Sequence, residues 1–183
     1  MFRAFALLVF KLIGWRVTDL RGTDGPLQAI YVVAPHTSNW DFIIGVLARS
    51  IARLGYARYL AKDSLFRPPF GWIFRALGGY PVDRSKNSNL TEQVAGYFRD
   101  IPGFSVAITP EGTRKRVEKW KTGFWHIAKA AHVPLVLVSF DYAHKEIKLS
   151  APWWPTDDKE KDVAALMEYF RPFRGMNADD GVK

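Results

Sequence analysis

His36 and Asp41 are the residues of this chain best suited to acid–base chemistry, because they follow an apolar run at close spacing. Residues 29–34 form that run and predict a buried strand, so the pair would lie where the strand opens into a loop or helix. On a regular helix two side chains five positions apart diverge by roughly 140°. They can therefore meet only across a turn, and Pro35 with residues 37–39 (Thr-Ser-Asn) supplies turn and cap chemistry. A carboxylate that accepts one imidazole proton leaves the other ring nitrogen as a base. The alternative is a capping His beside a helix-start Asp.

Basic and polar residues also follow the other strands that the sequence predicts. Lys62, Arg84 and the run from Glu111 to Arg114 each come just after such a strand. In a parallel sheet the carboxyl ends of the strands share an edge where ligands collect, so these residues are expected to form one site. Arg84 and Arg114 carry planar, permanently charged forks that suit a phosphate. Gly112 would let the backbone approach a ligand closely.

The elements that would position these residues alternate between strand and helix. Strands are predicted at residues 31–34, 58–61, 80–83, 105–108 and 135–140, and helices at 40–54, 70–77, 90–99 and 124–131. This alternation is typical of a single α/β domain whose largely parallel central sheet is flanked by helices. A polar strand at 146–149 is expected at the sheet edge, followed by a helix at about 158–170. The tail from residue 175 is expected to fray.

Length and composition limit the function classes. The 183 residues suffice for one domain with one core. The net charge of +8 favours an anionic partner such as a phosphate ester, a membrane surface or a nucleic acid. The absence of Cys excludes disulfides, a thiolate nucleophile and cysteine-ligated zinc. No metal site is predicted, because His126, His132 and His144 show no ligand spacing with carboxylates.

The N-terminal segment is apolar but short. Its uninterrupted stretch, residues 4–10, falls far below the roughly 20 residues of a membrane span. No small-residue cleavage site follows it, which argues against a secretory signal peptide. We expect residues 1–16 to form a helix in the membrane interface, with Arg3, Lys11 and Arg16 reaching lipid phosphates. A terminal helix packed on the core is the alternative.

Four ordered blocks of the sequence resemble the glycerolipid acyltransferase family, whose founding members are the lysophosphatidic acid acyltransferases. The blocks are His36 with Asp41, residues 79–84 (Gly-Tyr-Pro-Val-Asp-Arg), residues 110–114 (Pro-Glu-Gly-Thr-Arg) and residues 133–136 (Val-Pro-Leu-Val). The resemblance spans about residues 29–140, inside a domain that we place at 17–175, between the N-terminal helix and a polar tail at 176–183. The sequence departs from the family pattern at two positions: Pro35 stands where an Asn often precedes the His, and Thr109 where an aromatic residue often precedes the Pro-Glu-Gly block. Either departure could change the fit of the substrate.

The resemblance implies transfer of an acyl chain from an acyl thioester, carried by coenzyme A or acyl-carrier protein, to the hydroxyl of a lysophospholipid such as 1-acyl-glycerol-3-phosphate. It implies no further cofactor. His36 would be the general base and Asp41 would orient it. The implied acceptor and phosphate site comprises Arg84, Glu111, Gly112, Thr113, Arg114 and, more distantly, Lys62. In this site Glu111 would fix an Arg or the glycerol.

The implied partners are a membrane lipid, the membrane surface and possibly acyl-carrier protein, at the cytoplasmic face of a membrane. The basic residues Lys115, Arg116, Lys119 and Lys121 would suit the acidic carrier protein, although such runs usually form a solvated face. The aromatic segment 66–75 is compatible with a membrane-contacting ridge, an acyl channel or a core helix. An acyl-thioester hydrolase is the alternative function. A nucleic-acid-binding module is disfavoured, because the aromatic residues fall within apolar runs.

Overall fold

The computed structural model describes residues 1–22, 28–82 and 90–182. Within them the strands are β1 (Arg16–Asp19), β2 (Ile30–Ala34), β3 (Ala57–Lys62), β4 (Gly79–Val82), β5 (Ser105–Ile108), β6 (Leu135–Asp141) and β7 (Glu146–Leu149). The α-helices are α1 (Phe2–Ile13), α2 (Trp40–Ile51), α3 (Gly71–Ala76), α4 (Leu90–Asp100), α5 (Gly123–Ala131) and α6 (Lys159–Phe170). Short 3₁₀ turns lie at Asp63–Phe66 and Ala178–Asp180. Arg84, which was expected in the phosphate site, lies outside the described residues.

The strands form one sheet in the order β1-β7-β6-β2-β5-β3-β4, and every pairing is parallel except that of β6 with β7. The prediction of an α/β domain with a largely parallel sheet is therefore confirmed. The expectation that residues 146–149 form an edge strand is wrong, because β1 pairs with β7 on its outer side. The sequence analysis missed β1, whose four residues carry too little apolar pattern to predict a strand.

Helices cover both faces of the sheet, and the alternation of side chains along β2 shows why. Ile30, Val32 and Ala34 belong to the apolar cluster under α4, α5 and α6. Tyr31 and its same-face neighbours belong to the cluster under α1 and α2. Both faces of this central strand are thus buried, as a parallel strand with helices on each side requires. His36 therefore follows a strand that is covered on both faces.

Helix α1 has one buried and one exposed apolar face. Ala6 and Phe10 are buried against the cluster that includes α2, and Gly14 ends the helix in the left-handed conformation, with φ 73°. Its other face exposes Phe2, Phe5, Leu7, Leu8 and Leu12. The helix thus packs on the core and also presents an apolar surface. None of the described helices is both long enough and apolar enough to cross a bilayer.

The aromatic segment 66–75, like α1, has both buried and exposed apolar side chains. Phe66 is buried, whereas Phe70 and Trp72 expose 64% and 69% of their surface. Phe2 of α1 and Ala76 at the end of α3 line the same small cavity, so the exposed apolar side chains of the two helices belong to elements that meet there. Of the two functional interpretations of this segment, an exposed ridge fits better than a channel wall, since the described cavity beside His36 includes no residue from 66–75 in its lining.

Candidate active site

The chain reverses between β2 and α2 and brings His36 onto Asp41. Strand β2 ends at Ala34, a cis peptide bond joins it to Pro35, and α2 begins at Trp40. His36 Nδ1 lies 3.0 Å from Asp41 Oδ2. The contact crosses the turn that the sequence predicted between the two residues. Because Nδ1 is used by Asp41, the opposite ring nitrogen, Nε2, is the one available to a substrate.

Asp41 is a buried carboxylate surrounded by donors. Its side chain is 2% exposed. Besides the His36 ring, Oδ2 accepts the backbone N–H groups of Thr37 at 2.8 Å and Ser38 at 2.9 Å. Oδ1 accepts the Tyr142 hydroxyl at 2.6 Å. Burial by itself raises the pKa of Asp41, but these hydrogen bonds outweigh it and leave the pKa below its usual value. The carboxylate therefore stays charged and can orient the imidazole.

Glu111 joins the loop after β5 to the loop that carries His36. Its Oε2 accepts the backbone N–H of His36 at 2.8 Å. Its Oε1 is buried and has no hydrogen-bond partner among the described residues. Burial raises the pKa of Glu111 to about 7. The structure places Oε2 of Glu111 on the backbone of His36, and the role that the resemblance implies, fixing an Arg or the glycerol, stays a prediction.

A cavity of about 620 Å³ opens beside the pair, and residues of α2, of the sheet and of α5 line it. His36, Asp41, Gly112 and Arg114 are among the residues that line it. Most of the remaining wall is apolar and includes Val33, Phe42, Val46, Leu54, Val138 and Phe140. The site therefore combines an imidazole–carboxylate pair with a compartment suited to a hydrocarbon chain.

The residues expected at the phosphate site divide between the cavity and its surroundings. Gly112 adopts a left-handed φ of 66°, and a Cβ there would come within 2.8 Å of the Lys121 side chain. Lys121 also lines the cavity and adds a cation beside Arg114. Thr113 is exposed on the same loop, and its hydroxyl accepts the Lys115 N–H at 3.3 Å. Lys62 is exposed at the end of β3 and does not line the cavity.

Two contacts of the site come from chain segments that the sequence analysis did not connect with it. Tyr142 reaches Asp41 from the turn after β6. Asn177 donates from Nδ2 to the Thr37 carbonyl at 2.8 Å and from its backbone N–H to Thr37 Oγ1 at 3.1 Å. The expectation of a frayed tail from residue 175 is therefore wrong, because Gly175 is buried and packs closely on Thr37. Applied to β6, the rule that ligands collect at strand ends would have pointed to Tyr142.

The described residues contain no cluster of side chains that could bind a metal ion. Within residues 1–22, 28–82 and 90–182, no three His, Asp or Glu side chains are placed to hold a metal ion.

Comparison with known proteins extends the match beyond the motifs. Residues 24–141 match the model of the family described as Acyltransferase. The 1-acyl-sn-glycerol-3-phosphate acyltransferase of Escherichia coli K12 is 31% identical over 147 residues, which are 76% of this chain and 58% of that protein. The protein of the same name from Limnanthes alba is 24% identical over 178 residues, which are 94% of this chain and 59% of that protein. The chain thus spans little more than half the length of these relatives.

Among solved structures, the chain resembles the crystal structure of the 1-acyl-sn-glycerophosphate (LPA) acyltransferase PlsC from Thermotoga maritima. The TM-score is 0.62 at 19% identity, and the match covers 93% of this chain and 76% of that one. At this identity the likeness supports the fold.

Proposed function

Because this chain belongs to the glycerolipid acyltransferase family, we propose that it transfers a fatty acyl group from an acyl thioester to the hydroxyl of a lysophospholipid such as 1-acyl-glycerol-3-phosphate. The observation that supports this most directly is the contact of His36 Nδ1 with the buried Asp41 carboxylate, 3.0 Å away, at an apolar cavity. The contact supplies a base where a polar headgroup and an acyl chain can meet.

In the proposed reaction, His36 Nε2 removes the proton of the acceptor hydroxyl while the oxygen attacks the thioester carbonyl carbon. The C–O bond forms, the resulting intermediate collapses, and the C–S bond breaks. The proton passes from the imidazolium to the departing thiolate, which leaves an ester and a free thiol. Asp41 holds the Nδ1–H and stabilises the transient imidazolium. The thioester, on coenzyme A or acyl-carrier protein, is a co-substrate, and the proposal includes no further cofactor.

The acceptor phosphate is proposed to bind at the loop after β5. Arg114 and Lys121 bring two positive charges to the cavity that contains His36, and Gly112 lets the Lys121 side chain lie close against the backbone of this loop. We assign the exposed Thr113 hydroxyl to the same headgroup. Lys62 would contribute positive charge from farther along the sheet edge. Binding of the phosphate here fixes the distance between the acceptor hydroxyl and the base.

The acyl chain is proposed to occupy the apolar part of the cavity under α2. Its walls come from the helix and from the face of the sheet turned toward it, for example Phe42, Val46 and Phe140. An extended hydrocarbon placed there is removed from water along its length, which gives favourable burial. The thioester carbonyl would then lie at the open end, next to His36.

The protein is proposed to bind the cytoplasmic face of a membrane peripherally, through α1 and α3. The outer faces of these helices expose Phe5, Leu8, Leu12, Phe70 and Trp72. Apolar side chains of this size enter the boundary between headgroups and acyl chains, and basic residues nearby bind lipid phosphates. A surface of this kind would place the cavity close to lipid substrates.

Acyl transfer from labelled acyl-coenzyme A and acyl-carrier protein to a set of lysolipids in liposomes tests the proposal. We expect a diacyl product with an acceptor that carries a phosphate, and no product with His36→Ala. His126→Ala is the matched control, since His126 is an exposed histidine of α5 outside the cavity lining. Its activity should equal that of the wild type.

Other outcomes would assign the protein differently. Loss of thioester at the same rate with and without acceptor would indicate a hydrolase. Transfer that survives His36→Ala would refute the role of the base. Salt-sensitive binding of single-stranded nucleic acid that His36→Ala leaves unchanged, without any acyl transfer, would indicate a binding module.

A further inference from the structure

Tyr142 completes the hydrogen bonding of the carboxylate behind the base. Its hydroxyl donates to Asp41 Oδ1 at 2.6 Å, while His36 contacts Oδ2 at 3.0 Å. The residue comes directly after β6 and is separated from Asp41 by 101 positions. It lies just beyond residues 24–141, the part of the chain that matches the family. Tyr142 thus bonds the oxygen of Asp41 that the imidazole does not use.

The position of this hydroxyl is fixed from two directions. The edge of the Trp15 ring packs against the Tyr142 ring, with centroids 4.8 Å apart and planes at 86°. The Tyr142 backbone N–H donates to the Arg174 carbonyl at 2.8 Å. Trp15 in turn contacts Phe10 of α1, with ring centroids 6.1 Å apart. Segments from before β1 and after α6 therefore hold the tyrosine, so its hydroxyl has little freedom to leave Asp41.

The hydroxyl also keeps its proton over the working pH range. Burial and the hydrogen bond to Asp41 raise the pKa of Tyr142 far above its usual value. Tyr142 is therefore a permanent donor to Asp41 and takes no proton from the substrate. A donor of this kind withdraws negative charge from the carboxylate and weakens its pull on the imidazole proton.

We propose that Tyr142 is a positioning residue that orients Asp41 and sets the basicity of His36. Only the expected effect on kcat rests on the proposed acyl transfer; the expected effect on the His36 titration does not. Among the described residues, the charged groups that contact the loop of His36 or line its cavity are Asp41, Glu111, Arg49, Arg58, Arg114 and Lys121, and the phenols of Tyr31 and Tyr59 line the same cavity. Removal of the Tyr142 hydroxyl leaves these groups in place, so a change in the behaviour of His36 can be attributed to Tyr142.

Tyr142→Phe removes the hydroxyl and keeps the ring that packs on Trp15. We expect the NMR titration of the His36 ring, assigned by comparison with His36→Ala, to move its midpoint upward by about half a pH unit. We expect kcat to fall about tenfold, as for the loss of one hydrogen bond to a charged group, with KM for the acceptor nearly unchanged. Tyr97→Phe is the control: it removes a hydroxyl that accepts from Gln93 at 2.8 Å, away from the cavity, and should alter neither quantity.

The two measurements separate the inference from the proposed function. An unmoved His36 titration in Tyr142→Phe overturns the inference whatever the activity of the wild type. A moved titration in a protein that transfers no acyl group supports the inference and refutes the acyltransferase activity. A moved titration with an unchanged kcat would overturn the kinetic part of the inference, because orientation of Asp41 would then not matter to turnover.

Discussion

Replacement of Glu111 by Gln should remove a loss of stability that the wild-type protein undergoes as the pH rises. Burial raises the pKa of this carboxyl from 4.5 to about 7. A carboxyl group with a raised pKa is favoured by the fold in its protonated form. Its contribution to stability is therefore complete below about pH 4.5 and is lost as the pH rises through about 7. At about 1.4 kcal/mol per pKa unit, the loss is on the order of 3 kcal/mol.

The assay is urea-induced unfolding of wild type and Glu111→Gln at about pH 5 and about pH 8, with the free energy of unfolding obtained at each pH. Gln keeps a carbonyl oxygen that can accept the His36 N–H, as Glu111 does at 2.8 Å. The difference between variant and wild type should shift in favour of the variant by about 2.5 kcal/mol from the lower to the higher pH, because part of the loss has already occurred at about pH 5. Glu118→Gln, at an exposed glutamate, should show no such shift. Parallel stability curves for wild type and Glu111→Gln would refute the argument from burial.

Two further predictions concern the cavity and the core. A Cβ at Gly45 would lie 3.3 Å from the Phe140 ring in the cavity wall, so Gly45→Leu should narrow the cavity and lower kcat/KM for a palmitoyl donor about tenfold, more than for an octanoyl donor. Gly45→Ala should have a much smaller effect, and equal loss with both donors would contradict the assigned acyl site. Asp162 is 2% exposed and accepts three hydrogen bonds, so Asp162→Ala should lower the free energy of unfolding by about 4 kcal/mol in urea titrations. Asp157→Ala, at an exposed carboxylate, should lower the free energy of unfolding far less, and similar losses for the two variants would contradict the importance of burial.

The fold was predictable where the pattern of apolar residues was local and strong. Strand β5 begins and ends at the residues that the sequence indicated, and α4 differs from its predicted range by one residue. Strand β1 was not predictable from its own residues, because it pairs with β7, which is far away in the sequence. Arg16 of β1, for example, bonds Glu146 of β7, 130 positions later. A short polar strand acquires its structure from tertiary pairing, which a local pattern does not contain.

The same distinction applies to the site. The contact of His36 with Asp41 spans five positions and follows from turn chemistry that the sequence displays. The contacts of Tyr142 with Asp41 and of Asn177 with Thr37 span 101 and 140 positions. They depend on where β6 ends and on how the chain returns after α6. The predicted strand 135–140 ends one residue before β6 does, but no local pattern shows that Tyr142 reaches Asp41 or how the chain returns after α6.

The loop from His36 to Ser38 also has an unusual consequence for amide hydrogen exchange. Its three successive backbone N–H groups are bonded to carboxylate side chains and not to backbone carbonyls: His36 to Glu111, and Thr37 and Ser38 to Asp41. Their protection from solvent deuterium therefore depends on two acidic side chains and not on a strand or helix. Exchange at these amides reports whether the base is held in place, independently of how stable the sheet beneath it is.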